Sequence, residues 1–482
     1  MRVLPRLASY ASTMLVTATA FVAIDTPGAA AATATHMDPN THRQSPGLVA
    51  TGPETYNYAP TVMKDGKFRM WWCGGINGDN ILYAESDSIN GPFRAPNGAD
   101  YQSVFKPTGS STGFDGLHTC DPSVIRVRST YYMYYGGLGR FENSRTSIGV
   151  AQSPDGIHWT RLNGGRPIVT PRNATIDTYG AGQPTVGYVN GKFHMMYTDM
   201  SGLNGARQYA IRSSDPTFQS GVETATASGW VPLTSANKAT YLVSRSFSAD
   251  MQYSDALDAW IVLSNQTTGK TYVRFLAADF SHMIRDDLEI AATWVEGPGL
   301  VSKPDKHSLP PFASNCGRIA LDYINASGRR VRPNRPPQGD PDYLRHFGQD
   351  LITDTTCADL PAGKVGAIYD GYMMQSSGLP ATFVTGNKRL QSASFSPLLE
   401  LTKNSVNVTS EVFHLVPHGA GLHVGQTAIG ATGKPGAFLF EDDTIWPVNA
   451  LEILTANNSS ITMVSVDSYN SHPRGPSLYR VR

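Results

Sequence analysis

Apolar residues along this chain alternate with polar ones in short bursts, and Gly, Pro, Asn and Asp cluster between the bursts. The alternation has period two, and no long stretch has period 3.6, so the pattern predicts strands and turns throughout. One pattern recurs. Ala59-Pro60-Thr61-Val62, Asp121-Pro122-Ser123-Val124 and Gln183-Pro184-Thr185-Val186 place their prolines 62 residues apart, twice. An aromatic strand follows each: Lys67 to Trp72, Tyr131 to Tyr135 and Lys192 to Tyr197. A third strand then runs into a Ser/Asp turn at Ser86-Asp87, Ser153-Pro154-Asp155 and Ser213-Ser214-Asp215. Phe93, Trp159 and Trp230 mark short fourth strands.

A fourth unit keeps the order without the proline, from Asp250-Met251-Gln252-Tyr253 through Ala259 to Leu263 and Val273 to Asp279. A fifth is expected to start at Ala313-Ser314-Asn315-Cys316 and continue through Ile319 to Tyr323, with a polar insertion over 325–346. Four short strands per unit of about 60 residues describe the blades of a propeller, which closes on itself and so protects its sheet edges. The expected fold is all-β: a five-bladed β-propeller over 45–400 with a C-terminal β-rich extension over 401–482. That extension either completes the last blade or forms a small β domain.

Composition narrows the function. Lys+Arg and Asp+Glu both number 39, and charged residues make up 16% of the 482. No basic excess exists to neutralise phosphates, which argues against nucleic-acid binding. Arg2 and Arg6, the apolar run from Leu7 to Ile24 and the alanines 29–32 read as a signal peptide over 1–32. A secreted or periplasmic protein is expected, with no membrane association after the signal is removed. Four cysteines in an oxidising space predict disulfides. Cys73 ends the second strand of the first unit and Cys120 precedes the first strand of the second, so these two are predicted to pair. Cys316 and Cys357 then pair across the polar insertion.

In a propeller the first strand of each blade lines the axis, so equivalent residues converge at one face. Those residues are Ala59, Asp121, Gln183, Asp250 and Asn315. Close carboxylates can have their pKa values pushed apart, as acid–base chemistry at a sugar needs. Tyr58, Tyr179, Arg245 and His118 belong to segments expected at the same face, and Glu54 lies in the loop leading into the first strand. Asp115, in the Phe114-Asp115-Gly116 turn, reads as structural. No phosphate loop, dinucleotide fingerprint or His-Glu-x-x-His motif occurs.

The Asp-Pro-Ser-Val strand with its Tyr-Tyr-Met-Tyr-Tyr-Gly-Gly successor resembles the five-bladed β-propeller glycosidases, glycoside hydrolase families 43 and 32 with their relatives 117 and 130. The resemblance covers roughly Tyr56 to Asp305. It implies an Asp base or nucleophile, a tuning Asp and a Glu acid from different blades. Asp121 matches an Asp-Pro position, and Tyr58-Ala59-Pro60 resembles a Trp-Ala-Pro blade without a catalytic carboxylate. Gln183 then falls at the acid position, where an amide cannot deliver a proton. Asp250 or Glu54 would supply the missing carboxyl group. No cofactor is expected, although the resemblance leaves room for a calcium or sodium ion on the axis. Two functions follow. One is a secreted glycoside hydrolase acting on polysaccharide-derived oligosaccharides, with Asp121 and Asp250 catalytic and Gln183, His118, Tyr58, Glu54, Tyr179, Arg245 and Asn315 binding substrate. The other is a carbohydrate-binding propeller that has lost its acid.

Overall fold

The computed structural model describes residues 35–481 apart from 54–56, 76–78, 140–144, 173–176, 202–205, 235–238, 266–270, 291–296, 312–314, 327–343 and 362. Glu54, Ala313, Ser314 and the signal segment 1–32 therefore lie outside the described residues. No helix among the described residues is long and apolar enough to cross a membrane.

The first repeat is an antiparallel run of Asn57–Asp65, Lys67–Gly74, Asn80–Ser86 and Gln102–Phe105. His118–Val127, Thr130–Leu138, Ser147–Ser153 and Thr160–Arg161 form the next sheet. Asp177–Val189 opens a five-stranded sheet that ends at Gly229–Pro232, and Ser248–Ser254 opens a four-stranded one that ends at Leu288–Ile290. These strands form where the sequence alternates, because one face of each sheet packs on the next. Trp71, Tyr83, Tyr131 and Tyr135 share one such core, and Tyr134, Phe193 and Ile211 share another.

The last unit departs from expectation. Its first strand is Gly299–Ser302, and Arg318–Ala326 is its second. Asn315 therefore does not open the inner strand. It is exposed in the turn before Arg318–Ala326, where its side chain accepts from the Gly317 N–H (3.1 Å). Leu344–Ile352 follows, and the N-terminal pieces His36–Met37 and Arg43–Gln44 add to its outer edge. Gly299–Ser302 also pairs in parallel with the first strand of the chain's first sheet, Val301 opposite Val62 and Ser302 opposite Met63. The two ends of the repeat array thereby meet, and a sheet edge is covered.

Hydroxyl residues of the repeat tie successive inner strands together. Ser123 Oγ accepts from the Val186 N–H (2.9 Å), and Thr185 Oγ1 accepts from the Met251 N–H (3.1 Å). At the other end of these strands the segment Lys303 to Ser308 crosses the axis. Arg126, Tyr188 and Tyr253 donate their backbone N–H groups to the carbonyls of Pro304, Asp305 and Lys306. Within this segment His307 Nδ1 is 2.9 Å from Asp255, and its Nε2 faces the Tyr188 carbonyl at 3.0 Å.

Burial works against a charge on His307, but Asp305 and Asp255 outweigh it and raise the imidazole to about 9. A raised folded-state pKa gives stability that is complete below the unfolded value, about 6.5, and is lost as pH rises through about 9. Unfolding free energy is expected to fall by about 3 kcal/mol between pH 6.5 and 9.5. Denaturant melts across that range check this, and in His307→Gln the slope should flatten.

The C-terminal region corrects the expectation of a β-rich tail beginning at 401. The boundary at 400 falls inside the helix Phe395–Leu401, and a separate sheet already begins at Met373–Gln375. The region consists of two successive copies of one pattern: three short strands, a helix, a strand and a helix. The first copy runs from Met373 to Leu415 and the second from Ala428 to Ser471. Local bonds recur 56 residues apart. Thr409 and Ser465 cap their helices through Val412 and Ser468, and Arg389 and Ile445 donate to the carbonyls of Pro417 and Pro473. The copies share a core of Leu390, Leu398, Phe438, Trp446 and Leu454.

Two disulfides are formed, Cys73–Cys120 and Cys316–Cys357, with Cα–Cα distances of 5.0 and 4.9 Å. The second sits in a core with Ile368 and Phe413, so it ties the last repeat to the C-terminal region.

Candidate functional site

The repeated X-Pro element has a defined local geometry. Ala59, Asp121 and Gln183 all take left-handed backbone angles, with φ of 46, 49 and 51°. Each sits in a register shift against its neighbouring strand: between Tyr58 and Thr61, between Cys120 and Ser123, and between Gly182 and Thr185. Proline has no N–H to give to a ladder, so a bulge here loses no hydrogen bond, and it re-aims the residue before it. A left-handed L-residue costs of order 1–2 kcal/mol, a strain that folds retain where side-chain direction matters. Asp250, followed by Met251, lies in an unshifted register.

The bulges bring distant residues to one cavity of about 20 Å3, lined by Ala59, Asp121, Gln183, Asp250 and Gly297 together with their neighbours. Gly297 and Pro298, just before the last inner strand, occupy the place expected of Asn315.

Asp121 is 7% exposed, and its Oδ2 accepts from the Tyr179 hydroxyl (3.3 Å). Gly136 gives the carboxylate room, since a Cβ there would stand 3.1 Å from Oδ2. Tyr179 packs edge-on against Phe247, with ring centroids 5.0 Å apart. Gln183 Oε1 accepts from the Ser248 hydroxyl (2.9 Å), which turns this amide towards the fourth sheet.

Asp250 is committed differently. Its Oδ1 accepts from Thr185 Oγ1 (2.7 Å) and the Met251 N–H (2.9 Å), and its Oδ2 accepts from the Leu300 N–H (2.8 Å). Both oxygens also accept from Lys306 Nζ, at 2.8 and 2.6 Å. The ammonium is 1% exposed and reaches up the axis from the crossing segment. A carboxylate that already accepts all these bonds, one pair of them from a buried counter-ion, has no lone pair to spare for a proton in transit. These bonds suit a structural or charge-tuning carboxylate better than the proton-carrying half of the catalytic role expected for Asp250. The same geometry bears on the axial ion: Lys306 supplies the positive charge against Asp250, so this carboxylate does not fit a calcium or sodium ion. Cys73, Asp79 and Cys120 also lie close together, but the two sulfurs are bonded to each other.

Beside the cavity, His118 Nδ1 accepts from the Asp79 N–H (3.0 Å) and lies 3.0 Å from Asp79 Oδ2. The Tyr58 hydroxyl is 3.3 Å from Asp79 Oδ2 and 2.7 Å from Cys120 Sγ. Tyr58, Asp79 and His118 thus wrap the disulfide that precedes Asp121. Asp79 does not stand out in the sequence, where it is one Asp in an Asn/Gly turn. Arg245 is exposed between buried Ser244 and Ser246 and does not line the cavity. Asp115 accepts from Tyr135 (2.9 Å) and Arg161 (2.7 Å) and ties its turn to two strands of the second sheet.

No protein-family model matches the chain, and no curated protein matches it. The solved structures it is similar to include glycoside hydrolases. One is a family 117 enzyme produced by the marine bacterium Zobellia galactanivorans, with 10% identity, 65% of this chain and 91% of that one covered, and a TM-score of 0.43. A second is the catalytic domain of the Coprinopsis cinerea GH62 α-L-arabinofuranosidase, with 14% identity, 64% and 98% covered, and a TM-score of 0.42. A third is an α-L-arabinofuranosidase from Podospora anserina in complex with cellotriose, with 13% identity, 65% and 97% covered, and a TM-score of 0.40. At these values the likeness transfers no residue role or substrate to this chain.

Proposed function

We propose that this protein is an exported glycoside hydrolase with a five-bladed β-propeller, acting on polysaccharide-derived oligosaccharides over the mouth of the axial cavity, whose volume of about 20 Å3 admits a single reacting group and not a sugar ring. The observation that carries the reading is the set of three X-Pro bulges, which hold Ala59, Asp121 and Gln183 in one strained conformation around that cavity. Two disulfides support export to an oxidising space.

Asp121 acts as base or nucleophile. The Tyr179 hydroxyl orients it through a hydrogen bond to the charged form. The Gln183 amide positions a sugar hydroxyl. The proton for the leaving oxygen comes from a second carboxyl group, for which the sequence offers Glu54, outside the described residues. Carboxyl groups about 5–10 Å apart would suit either stereochemical course. The test is a screen of aryl-glycosides and oligosaccharides with the purified protein, reading released reducing ends. Turnover of none of them, with measurable binding, would remove the hydrolase reading.

A second reading, a carbohydrate-binding propeller without turnover, is favoured by the closure of Asp250 by Lys306. Gln183→Glu separates the two. In a hydrolase the new carboxylate, beside Ser248, leaves activity similar or lowers it up to about tenfold, the loss of roughly one hydrogen bond. A large gain of hydrolysis in this variant would instead mark a lapsed enzyme.

A further inference from the structure

The two copies of the C-terminal pattern differ at one sheet edge. In the second copy the outermost strand is Ile461–Met463, which pairs in parallel with Ala428–Gly430 and has no strand on its other side among the described residues. All three of its residues are exposed, Met463 by 64% and Ile461 by 38%. Leu451, also exposed, continues the apolar strip: a Cβ on Gly436 would stand 3.5 Å from its Cδ2 and 3.6 Å from Ile461 Cδ1. In the first copy, 56 residues earlier, Ser405 and Asn407 hold the places of Ile461 and Met463, and they are exposed too. The pattern folds with polar residues there, so the apolar pair of the second copy does not serve its own core. The first copy's edge is also engaged within the molecule, since Asn404, which leads into it, accepts from the Gly66 N–H of the first repeat (2.9 Å).

Proteins usually blunt an open edge with a charge, a proline or a bulge. Here the register is regular, and from Ile453 to Val466 the chain has no charged residue and no proline. The Val464 N–H donates inward to the Gly430 carbonyl (2.9 Å), so by alternation the N–H and C=O groups of Ile461 and Met463 point outward. A second copy turned about a two-fold axis through Thr462 matches this edge. Ile461 then lies opposite Met463 of the partner subunit, and the two residues exchange both backbone bonds. Their side chains share one face, so apolar groups meet across the axis and no like charges oppose each other.

We propose that this edge is a dimerisation surface, on which a second copy of the chain pairs antiparallel about Thr462 and joins two four-stranded sheets into one. The proposal does not rest on the hydrolase reading. The strand is short, and the contact falls below the area of about 1,000 Å2 that a stable interface clears, so a weak dimer is expected, with a dissociation constant of about 10–100 μM.

The test is sedimentation velocity of the full-length protein from about 1 to about 200 μM, a range that brackets that constant. The sedimentation coefficient should rise from that of a monomer towards that of a dimer. Ile461→Ser with Met463→Asn installs the first copy's own residues, so it should keep the melting temperature and raise the dissociation constant at least tenfold. The register has its own check. Residues facing each other across the axis without mutual backbone bonds have Cα atoms about 4.5 Å apart, within reach of a disulfide. The native cysteines are all paired, so Thr462→Cys adds a single free thiol and should give a disulfide-linked dimer on mild oxidation. Ser460→Cys, whose two copies would sit about 13 Å apart, should not. A monomer at every concentration, undiminished dimer in the double variant, or cross-linking of Ser460→Cys as readily as Thr462→Cys would each overturn the proposal.

Discussion

Asp121→Asn is expected to lower kcat/KM for any hydrolysed oligosaccharide by about 10²–10⁴-fold, the usual contribution of a positioned proton-transfer or nucleophilic carboxylate. The substitution keeps the shape of the side chain, its acceptor oxygen and the bond from Tyr179. The bulge is unaffected, because Pro122 and the register shift do not depend on the charge. Melting temperature should therefore stay close to that of the parent while turnover collapses. Substrate affinity should change far less than kcat, since the lost interaction belongs to the transition state. A variant that keeps more than a tenth of parental turnover would remove Asp121 from the chemistry.

Lys306→Met is expected to cost about 3–5 kcal/mol of stability, because it leaves the Asp250 carboxylate buried with no counter-ion. Lys306 is also the point where the crossing segment enters the axis. Its φ of 69° shows that the backbone bends into a left-handed turn to deliver the ammonium. The double variant Asp250→Asn with Lys306→Met should recover part of the loss, since a neutral pair needs no desolvated charge. Denaturant melts of the three variants measure this. Simple additivity in the double variant, or a loss below 1 kcal/mol in Lys306→Met, would contradict the pairing.

How far the sequence can be read follows from where its signals are local. The X-Pro-Ser/Thr-Val element is legible because each of its residues acts within its own strand or the next. The proline permits a bulge, the hydroxyl accepts from the next strand and the apolar residue fills the core. The element places Asp121 and Gln183 at one cavity and Cys73 beside Cys120. The fourth unit has Met251 where the others have proline, and its Asp250 looks equivalent although its partners differ. Lys306 decides that difference, and it reaches Asp250 across 56 residues of chain. The last inner strand is only four residues, Gly299–Ser302, too short to show a period, so the pattern points to Asn315 instead. Asp79 is recognisable only once the fold brings it to His118. The C-terminal repeat is hidden in the sequence because its matching positions keep character more than identity. Leu398 matches Leu454, but Phe413 matches Tyr469 and Thr409 matches Ser465.

The central claim is that a sugar is bound and cleaved beside Asp121. Crystals of Asp121→Asn soaked with an oligosaccharide that the parent protein hydrolyses test it most directly. The account predicts an uncleaved oligosaccharide with one ring within hydrogen-bonding distance of the residue 121 and Gln183 side chains. Sugar density found only elsewhere on the protein, with none beside residue 121, would contradict it.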